Sequence, residues 1–193
     1  MKTIHIFTEE LSLKKVLEVI LPKILPNDVS FRIYAHQGKQ DLEQALKSTL
    51  PSLSKMPDSY ILVTIDQDKD DCVALKNELF ETIKDDCGCD FKIRIVCREL
   101  EAWFLGDMNA MEKAYPRFKA EQYVNKKGYR NIDKIEKPSK HILKLIPELS
   151  KQESLPKLEV SQSIAKYLDV NNNNSVSFRH TIDAIKKLTQ PNI

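Results

Sequence analysis

The stretch that decides the fold of this chain is Tyr60-Ile61-Leu62-Val63-Thr64-Ile65-Asp66-Gln67-Asp68. Residues 60–65 are predominantly apolar without alternation, which is typical of a central parallel strand covered by helices on both faces. Asp66 and Asp68 follow at once, and further acidic residues lead into a segment with helical periodicity. The sequence therefore predicts a buried strand that carries charged side chains at its carboxyl end.

The segments around this strand alternate between strand and helix patterns. Lys2–Phe7, Val29–His36 and Phe91–Val96 are rich in β-branched and aromatic residues and predict three more strands. Apolar residues recur at helical spacing in the segments that separate them. Strands joined by helices of this length form right-handed crossovers. We therefore predict an α/β fold with a mostly parallel sheet and helices on both faces.

After Asp107 the pattern becomes helical only. Helices are predicted over Met108–Tyr115, Pro138–Leu149, Ser161–Leu168 and Ser177–Leu188. The expected organisation is an α/β core over residues 1–107, followed by a helical C-terminal cap over residues 108–193 that packs on the core.

Composition limits the class of protein. Hydrophobic residues make up 41% and charged residues 30%, a balance that fits a globular chain with a real core. No stretch approaches the ~20 apolar residues of a membrane span, and the N-terminal residues are too polar for a signal peptide, so we expect a cytoplasmic protein. Cys87-Gly88-Cys89 has no second ligand pair, so reduced thiols are a better interpretation than zinc. The oligomeric state stays open.

Charge is distributed unevenly along the chain. Residues 58–90 contain ten acids and three lysines, a net charge of −7, whereas residues 117–151 contain ten basic residues and four acids, a net charge of +6. This separation suits a protein that holds a metal in one place and a polyanion in another. Two solvated helix faces would give the same pattern.

Polar side chains follow all four predicted strands. In open α/β sheets, ligands bind outside the carboxyl ends of the strands, so these side chains are the candidates for a functional site. They are Glu9 and Glu10, then His36 and Lys39, then Asp66, Asp68 and Asp70, and finally Arg98, Glu99 and Glu101.

The acids among these candidates predict a divalent metal. Asp66 and Asp68 are two residues apart and share one side of an extended chain, where they would repel each other without a cation. Several carboxylates with water are the ligands of Mg²⁺ or Mn²⁺. Asp70 fits a helix cap equally well. Glu99 and Glu101 both face the site only if the chain there is extended.

The basic candidates predict contacts to phosphate. Lys39, Arg98 and the basic residues 117–151 are suited to a nucleic-acid backbone. His36 at the end of the second strand can bind phosphate or move a proton, and a role in stabilising the turn is as consistent with its position.

Two resemblances extend this interpretation. Ile6-Phe7-Thr8-Glu9-Glu10 and the strand ending in Asp66-Gln67-Asp68 resemble the Toprim domain, the metal-binding fold of topoisomerases, primases and overcoming-lysogenization-defect (OLD) nucleases. Thr8–Ser12, His36–Leu42, Asp66–Cys72, Arg98–Asp107 and Ser175–Phe178 are similar to the bacterial family DUF4276 over most of the chain. Toprim domains commonly have Gly after the Glu, whereas this chain has Glu10.

These resemblances imply a metal-dependent nuclease that acts on DNA or RNA, in anti-phage defence, with an ABC-type or OLD-type ATPase as partner. Glu9, Asp66, Asp68 and Glu101 would be its catalytic residues, and Glu99 or Glu101 would complete a second metal site. A non-catalytic partner or regulatory subunit of such an ATPase is the alternative. A receiver-like or phosphohydrolase domain is less consistent, because the Asp-x-Asp pair follows the third strand and not the first.

Overall fold

The structure is a computed structural model that describes residues 2–190. It is an α/β protein in which the first half alternates strands and helices and the second half is helical. The strands are β1 (Lys2–Thr8), β2 (Val29–Ala35), β3 (Ser59–Asp66) and β4 (Phe91–Val96). The helices are α1 (Leu11–Ile20), α2 (Lys39–Leu53), α3 (Cys72–Ile83), α4 (Glu101–Leu105), α5 (Met108–Ala114), α6 (Pro138–Leu145), α7 (Lys157–Ala165) and α8 (Val176–Thr189), with short 3-10 turns between several of them.

The four strands form one parallel sheet in the order β2-β1-β3-β4. The predicted fold class is therefore confirmed. The chain moves from β1 to one side for β2 and then returns to the other side for β3 and β4. The order thus reverses between β1 and β3, and the loops that leave these two strands diverge there. Such a switch point opens a crevice at the carboxyl ends of the strands.

Alternation along the strands supplies a core to each face of the sheet. Ile4 and Ile6 of β1 belong to one cluster, with residues of α1 and of the helices after residue 107. Phe7 of β1 and Val63 of β3 belong to the other cluster, with residues of α2 and α3. Successive side chains of a strand point to opposite faces, so a strand that is apolar throughout needs this cover on both sides.

Helices of the second half complete the first core. α7 packs on α1, and α8 packs along β4. Trp103 of α4 is fully buried, packs edge to face against Phe178 of α8 with 5.1 Å between ring centroids, and donates from Nε1 to Ser177 Oγ at 3.0 Å. This aromatic pair and its hydrogen bond fix α8 to the segment that follows β4. Within residues 2–190, none of the helices combines the length and the hydrophobicity that a bilayer crossing needs.

The start of α8 differs from the prediction, and distant residues explain why. The predicted range begins at Ser177, whereas the helix begins at Val176 and its cap is Ser175, whose Oγ accepts from Phe178 N at 3.2 Å. Asp133, more than forty residues earlier, accepts from Val176 N at 2.7 Å and from Ser177 N at 3.0 Å. A carboxylate there satisfies helix N–H groups that have no partner within the helix. The helix therefore begins at Val176, the first residue whose N–H donates to Asp133.

Candidate functional site

The carboxyl ends of β1 and β3 are joined directly across the switch point. Glu9 follows β1, and its Oε2 accepts a hydrogen bond of 3.0 Å from the backbone N–H of Asp66, the last residue of β3. The two loops that diverge at the crevice are thus tied by a carboxylate. Glu9 and Asp66 are the pair that the sequence predicted for this position, and the structure brings them together.

Asp68 is placed by a turn and not by the alternation of a strand. β3 ends at Asp66, and Asp68 is exposed with a φ of 50°, in the left-handed region. Its N–H donates to Arg98 O at 2.9 Å, and the guanidinium of Arg98 donates back to Asp68 O at 3.1 Å. Arg98 also has a positive φ, of 62°. This reciprocal pair holds the ends of β3 and β4 together at the rim of the crevice.

Glu101 is the most unusual residue of the site. It begins α4 and is fully buried, and neither oxygen of its carboxyl group has a hydrogen-bond partner within the described residues. Its predecessor Glu99 accepts from Ser139 N at 2.9 Å, at the start of α6. A buried polar group without a partner costs free energy, and an ionised one costs more. The fold therefore places at this point a side chain that requires a partner.

Burial and mutual repulsion raise the pKa of several carboxyl groups here. Burial raises the pKa of Glu101 to about 7, with Lys157 opposing the shift and Glu99 adding to it. Burial also raises the pKa of Asp66 well above its ordinary value, and the charges of Glu10 and Glu101 add to this. A cluster of groups with raised pKa values is a candidate functional site.

Lys157 is the site residue that the sequence analysis missed. It is the first residue of α7, and its Nζ lies 3.1 Å and 3.3 Å from the two carboxylate oxygens of Glu10. Burial lowers the pKa of Lys157, but the neighbouring carboxylates of Glu101 and Glu10 outweigh burial and hold it above its ordinary value. Ser12 Oγ also donates to Glu10, at 2.9 Å. No local signal marks Lys157, because it follows Glu10 by 147 residues.

Three other predicted residues lie at the edge of this cluster. His36 Nδ1 is 3.5 Å from Asp41, and its ring stacks on Phe7, as the turn-stabilising alternative requires. Lys39 begins α2, and its Nζ lies 3.9 Å from Asp70 and 3.6 Å from a carboxylate of α3. The cap of α3 is not Asp70 but its neighbour, residue 71. Asp70 therefore faces Lys39 at the surface.

The carboxylates are gathered but not yet arranged as metal ligands. Among residues 2–190, no group of three His, Cys, Asp or Glu side chains is positioned to hold an ion. Glu9, Glu10 and Glu99 each accept a hydrogen bond from the protein instead. The donor chemistry nevertheless fits Mg²⁺ or Mn²⁺, because carboxylate oxygens are hard ligands and the charges of Glu10 and Glu99 act on Glu101, whose own oxygens have no partner within the described residues.

The fold and this edge define a class of protein. It is an open α/β sheet that gathers carboxylates, with one lysine from a distant helix, at the switch point of its parallel strands. The chain belongs to the family DUF4276, described as a domain of unknown function, whose sequence model matches residues 8–186. Searches of curated proteins and of solved structures returned no match.

Proposed function

We propose that this chain is a divalent-metal-dependent nuclease with a Toprim-like site, which hydrolyses phosphodiester bonds in DNA or RNA. The observation that carries the proposal is Glu101, a fully buried carboxylate that has no hydrogen-bond partner among residues 2–190 and whose charge acts on Asp66 at the end of β3. Ligands of such sheets bind at the carboxyl ends of the strands. A divalent cation is the partner that its chemistry selects.

Charge supports a cation at this place. The carboxylates whose charges act on one another include Glu9, Glu10, Asp66 and Glu101, and Lys157 is the basic residue among them. One ammonium group leaves this cluster strongly negative when the acids are ionised. Carboxylates at such separations repel each other, and a divalent ion removes the repulsion.

The side chains divide into an inner and an outer set. Asp66, Glu101 and Glu9 would hold the first ion, after Glu9 leaves its hydrogen bond to the backbone of β3. The charge of Glu99 acts on both Asp68 and Glu101, so Asp68 and Glu99 would contribute to a second ion. When bound, such ions supply Lewis-acid stabilisation to a reacting phosphoryl group.

Other residues of the chain would handle the substrate. Arg98, at the rim, presents a guanidinium group to a phosphate, and Lys39 presents an ammonium group beside the end of β2. Lys157 adds a positive charge from the α7 side. The basic residues 117–151 continue this surface and would bind the nucleic-acid backbone.

Association with an ABC-type or OLD-type ATPase in anti-phage defence is part of this proposal, and it rests on the family resemblance. A non-catalytic subunit of such an ATPase is the second candidate. It is favoured by one observation, namely that Glu9, Glu10 and Glu99 are already engaged within the protein. A complex that co-purifies with the ATPase and shows no metal-dependent cleavage would support this candidate.

Replacement of Asp66 by Asn is expected to lower cleavage of single-stranded DNA or RNA in Mn²⁺ by about 10²-fold, because a neutral oxygen replaces a charged ligand. Asp85→Asn is the matched control: it makes the same chemical change at an exposed carboxylate between α3 and β4, at the opposite edge of the sheet from the carboxyl ends of the strands, and we expect less than about threefold loss. Product formation on a denaturing gel, with and without EDTA, is the measurement. Equal cleavage by the wild type and Asp66→Asn would remove the proposal.

A further inference from the structure

Two cavities meet at Lys157. One, of about 360 Å³, is lined by Glu9, Glu10, His36 and Gly38 among others. The other, of about 410 Å³, lies between α6 and residues 153–157. Because Lys157 lines both, the two cavities adjoin there, and we name the second one the α6 arm.

The α6 arm combines positive charge with apolar wall. Lys140 and Lys144 are exposed and one helical turn apart, about 6 Å along the axis, and both line the cavity. Neither forms an ion pair within residues 2–190. Leu143 and Leu155, each half-buried, line the same cavity and supply apolar surface.

This arm is fixed relative to the acidic crevice. Ser139, which also lines the cavity, donates its backbone N–H to Glu99 at the start of α6. Lys157, at the other wall, is bound to Glu10. Both walls of the groove are thus anchored to carboxylates of the proposed site, and Lys157 lies between the groove and Glu10.

We propose that the groove between α6 and residues 153–157, with Lys140 and Lys144 as its phosphate contacts, binds an unpaired polynucleotide strand and delivers it to the acidic crevice. The inference rests on the proposed nuclease function and names its substrate class. Lysines one turn apart contact successive phosphates, and the two leucines contact a base face.

The size and lining of the groove select a single strand over a duplex. A volume of about 410 Å³ is near the lower end for small-molecule pockets and has room for a nucleotide-sized unit. A duplex presents phosphates outwards but hides its base faces, so it cannot use the apolar wall. Glu153 lines the opposite side from α6 and keeps the phosphates along the lysines.

Binding is tested by fluorescence anisotropy in Ca²⁺, with labelled DNA and RNA strands of about 12 residues and the matching duplex. We expect the single strands to bind about tenfold more tightly than the duplex. Lys140→Glu with Lys144→Glu is expected to weaken single-strand binding at least about tenfold and to reduce the salt slope by about 1.4, the share of two phosphate contacts.

The control is Lys47→Glu with Lys55→Glu, which makes the same change in net charge at exposed lysines in and just after α2, on the side of the second core. We expect less than about threefold weakening from it. Three results would contradict the assignment of this groove to single-stranded polynucleotides. They are equal weakening by both pairs of substitutions, equally tight binding of the duplex, and no binding of the single strands. A labelled polyglutamate peptide that binds as tightly as the oligonucleotides would assign the groove to an acidic protein segment instead.

Cleavage in Mn²⁺ by the same variants separates this inference from the proposed function. If single-stranded polynucleotides bind through Lys140 and Lys144 but the wild type cleaves none of them, the binding groove is supported and the nuclease function is contradicted. If the wild type cleaves and the charge-reversed variant has the same KM as the wild type, the nuclease function is supported and the binding groove is contradicted. The expected result is a raised KM with kcat close to that of the wild type.

Discussion

Glu101→Gln is expected to lower metal-dependent cleavage by about 10³-fold and, in the same protein, to raise the melting temperature of the metal-free form. The two effects have one cause. Glu101 is fully buried and its carboxyl group has no hydrogen-bond partner in the described part of the chain, so its ionised form destabilises the metal-free protein and would be stabilised by a bound cation. Gln has nearly the same shape but cannot ionise. It therefore removes both the destabilisation of the metal-free protein and the charged ligand for the cation.

The pH dependence of this effect follows from the raised pKa of Glu101. The ordinary value is 4.5, which applies to the unfolded chain, and the folded value is about 7. Below pH 4.5 both states hold the proton, and ionisation costs nothing. Between the two values the unfolded chain loses its proton first, so the stability of the wild type falls as the pH rises, and above pH 7 the loss is complete.

The size of the effect follows from the same difference. A gap of 7 − 4.5 = 2.5 pKa units corresponds to about 3 kcal/mol at most. Because Gln keeps a buried amide without a partner, we expect a net gain of about 1–3 kcal/mol at pH 8, or roughly 3–10 °C in Tm for a chain of this length. The gain should vanish below about pH 4.5.

Thermal melts in EDTA and in Mn²⁺, at pH 8 and pH 4.5, measure this prediction. Mn²⁺ is expected to stabilise the wild type, because a ligand of the folded state raises Tm by mass action, and to leave Glu101→Gln unchanged. Glu136→Gln is the control, since it makes the same change at an exposed position. A lower Tm for Glu101→Gln in EDTA, or equal stabilisation by Mn²⁺, would contradict the assignment of Glu101 as a ligand.

Local pattern was sufficient for the sheet. Phe91–Val96 is the same range in the prediction and in the structure, and β3 differs by one residue at each end. These strands are bounded by turn residues and are apolar where the cores cover them. The local sequence therefore determines where each strand begins and ends. α7 was predicted four residues too late at its start. Its first residues, Lys157 to Glu159, are mostly polar and lie outside the apolar periodicity, so the pattern did not mark where the helix begins.

The candidate site was predictable where strand ends define it. Glu9 and Asp66 meet because parallel strands end at one edge, which follows from the fold class alone. Asp68 was assigned to the same side by alternation, but a left-handed turn paired with Arg98 sets its place. Lys157 could not be predicted, because packing of α7 on α1 brings it to the crevice and no motif encodes that packing.

Gly106→Ala is expected to cost about 3–5 kcal/mol of folding free energy, the largest loss of stability that we predict for a single methyl group in this chain. Gly106 has an ordinary φ of −68°, so the cost is one of space and not of backbone conformation. A Cβ there would lie 2.1 Å from Oδ1 of Asn173 and 2.8 Å from the backbone N of Ser175.

The side chain of Asn173 cannot move away without a large loss of free energy. It is buried, its Nδ2 donates to Trp103 O at 2.9 Å, and its Oδ1 accepts from Ser175 N at 2.8 Å. If the side chain moves, both bonds are lost and a buried carbonyl and N–H are left without partners, at about 1–3 kcal/mol each. Ser175 is the cap of α8, so its backbone cannot move away from the new methyl group without loosening that helix.

Urea denaturation of the wild type, Gly106→Ala and Gly128→Ala measures this prediction. Gly128 is the control, because a Cβ there would contact no atom of residues 2–190 within 4 Å, and we expect its replacement to change stability by less than about 1 kcal/mol. Adding Asn173→Gly to Gly106→Ala opens the space again, and this pair should be less destabilised than the sum of its single changes. Strict additivity would mean that the two side chains do not meet. Gly106→Ala disturbs the bond from Asn173 to Trp103, and Trp103 lies in α4 together with Glu101. The substitution should therefore also weaken Mn²⁺ binding.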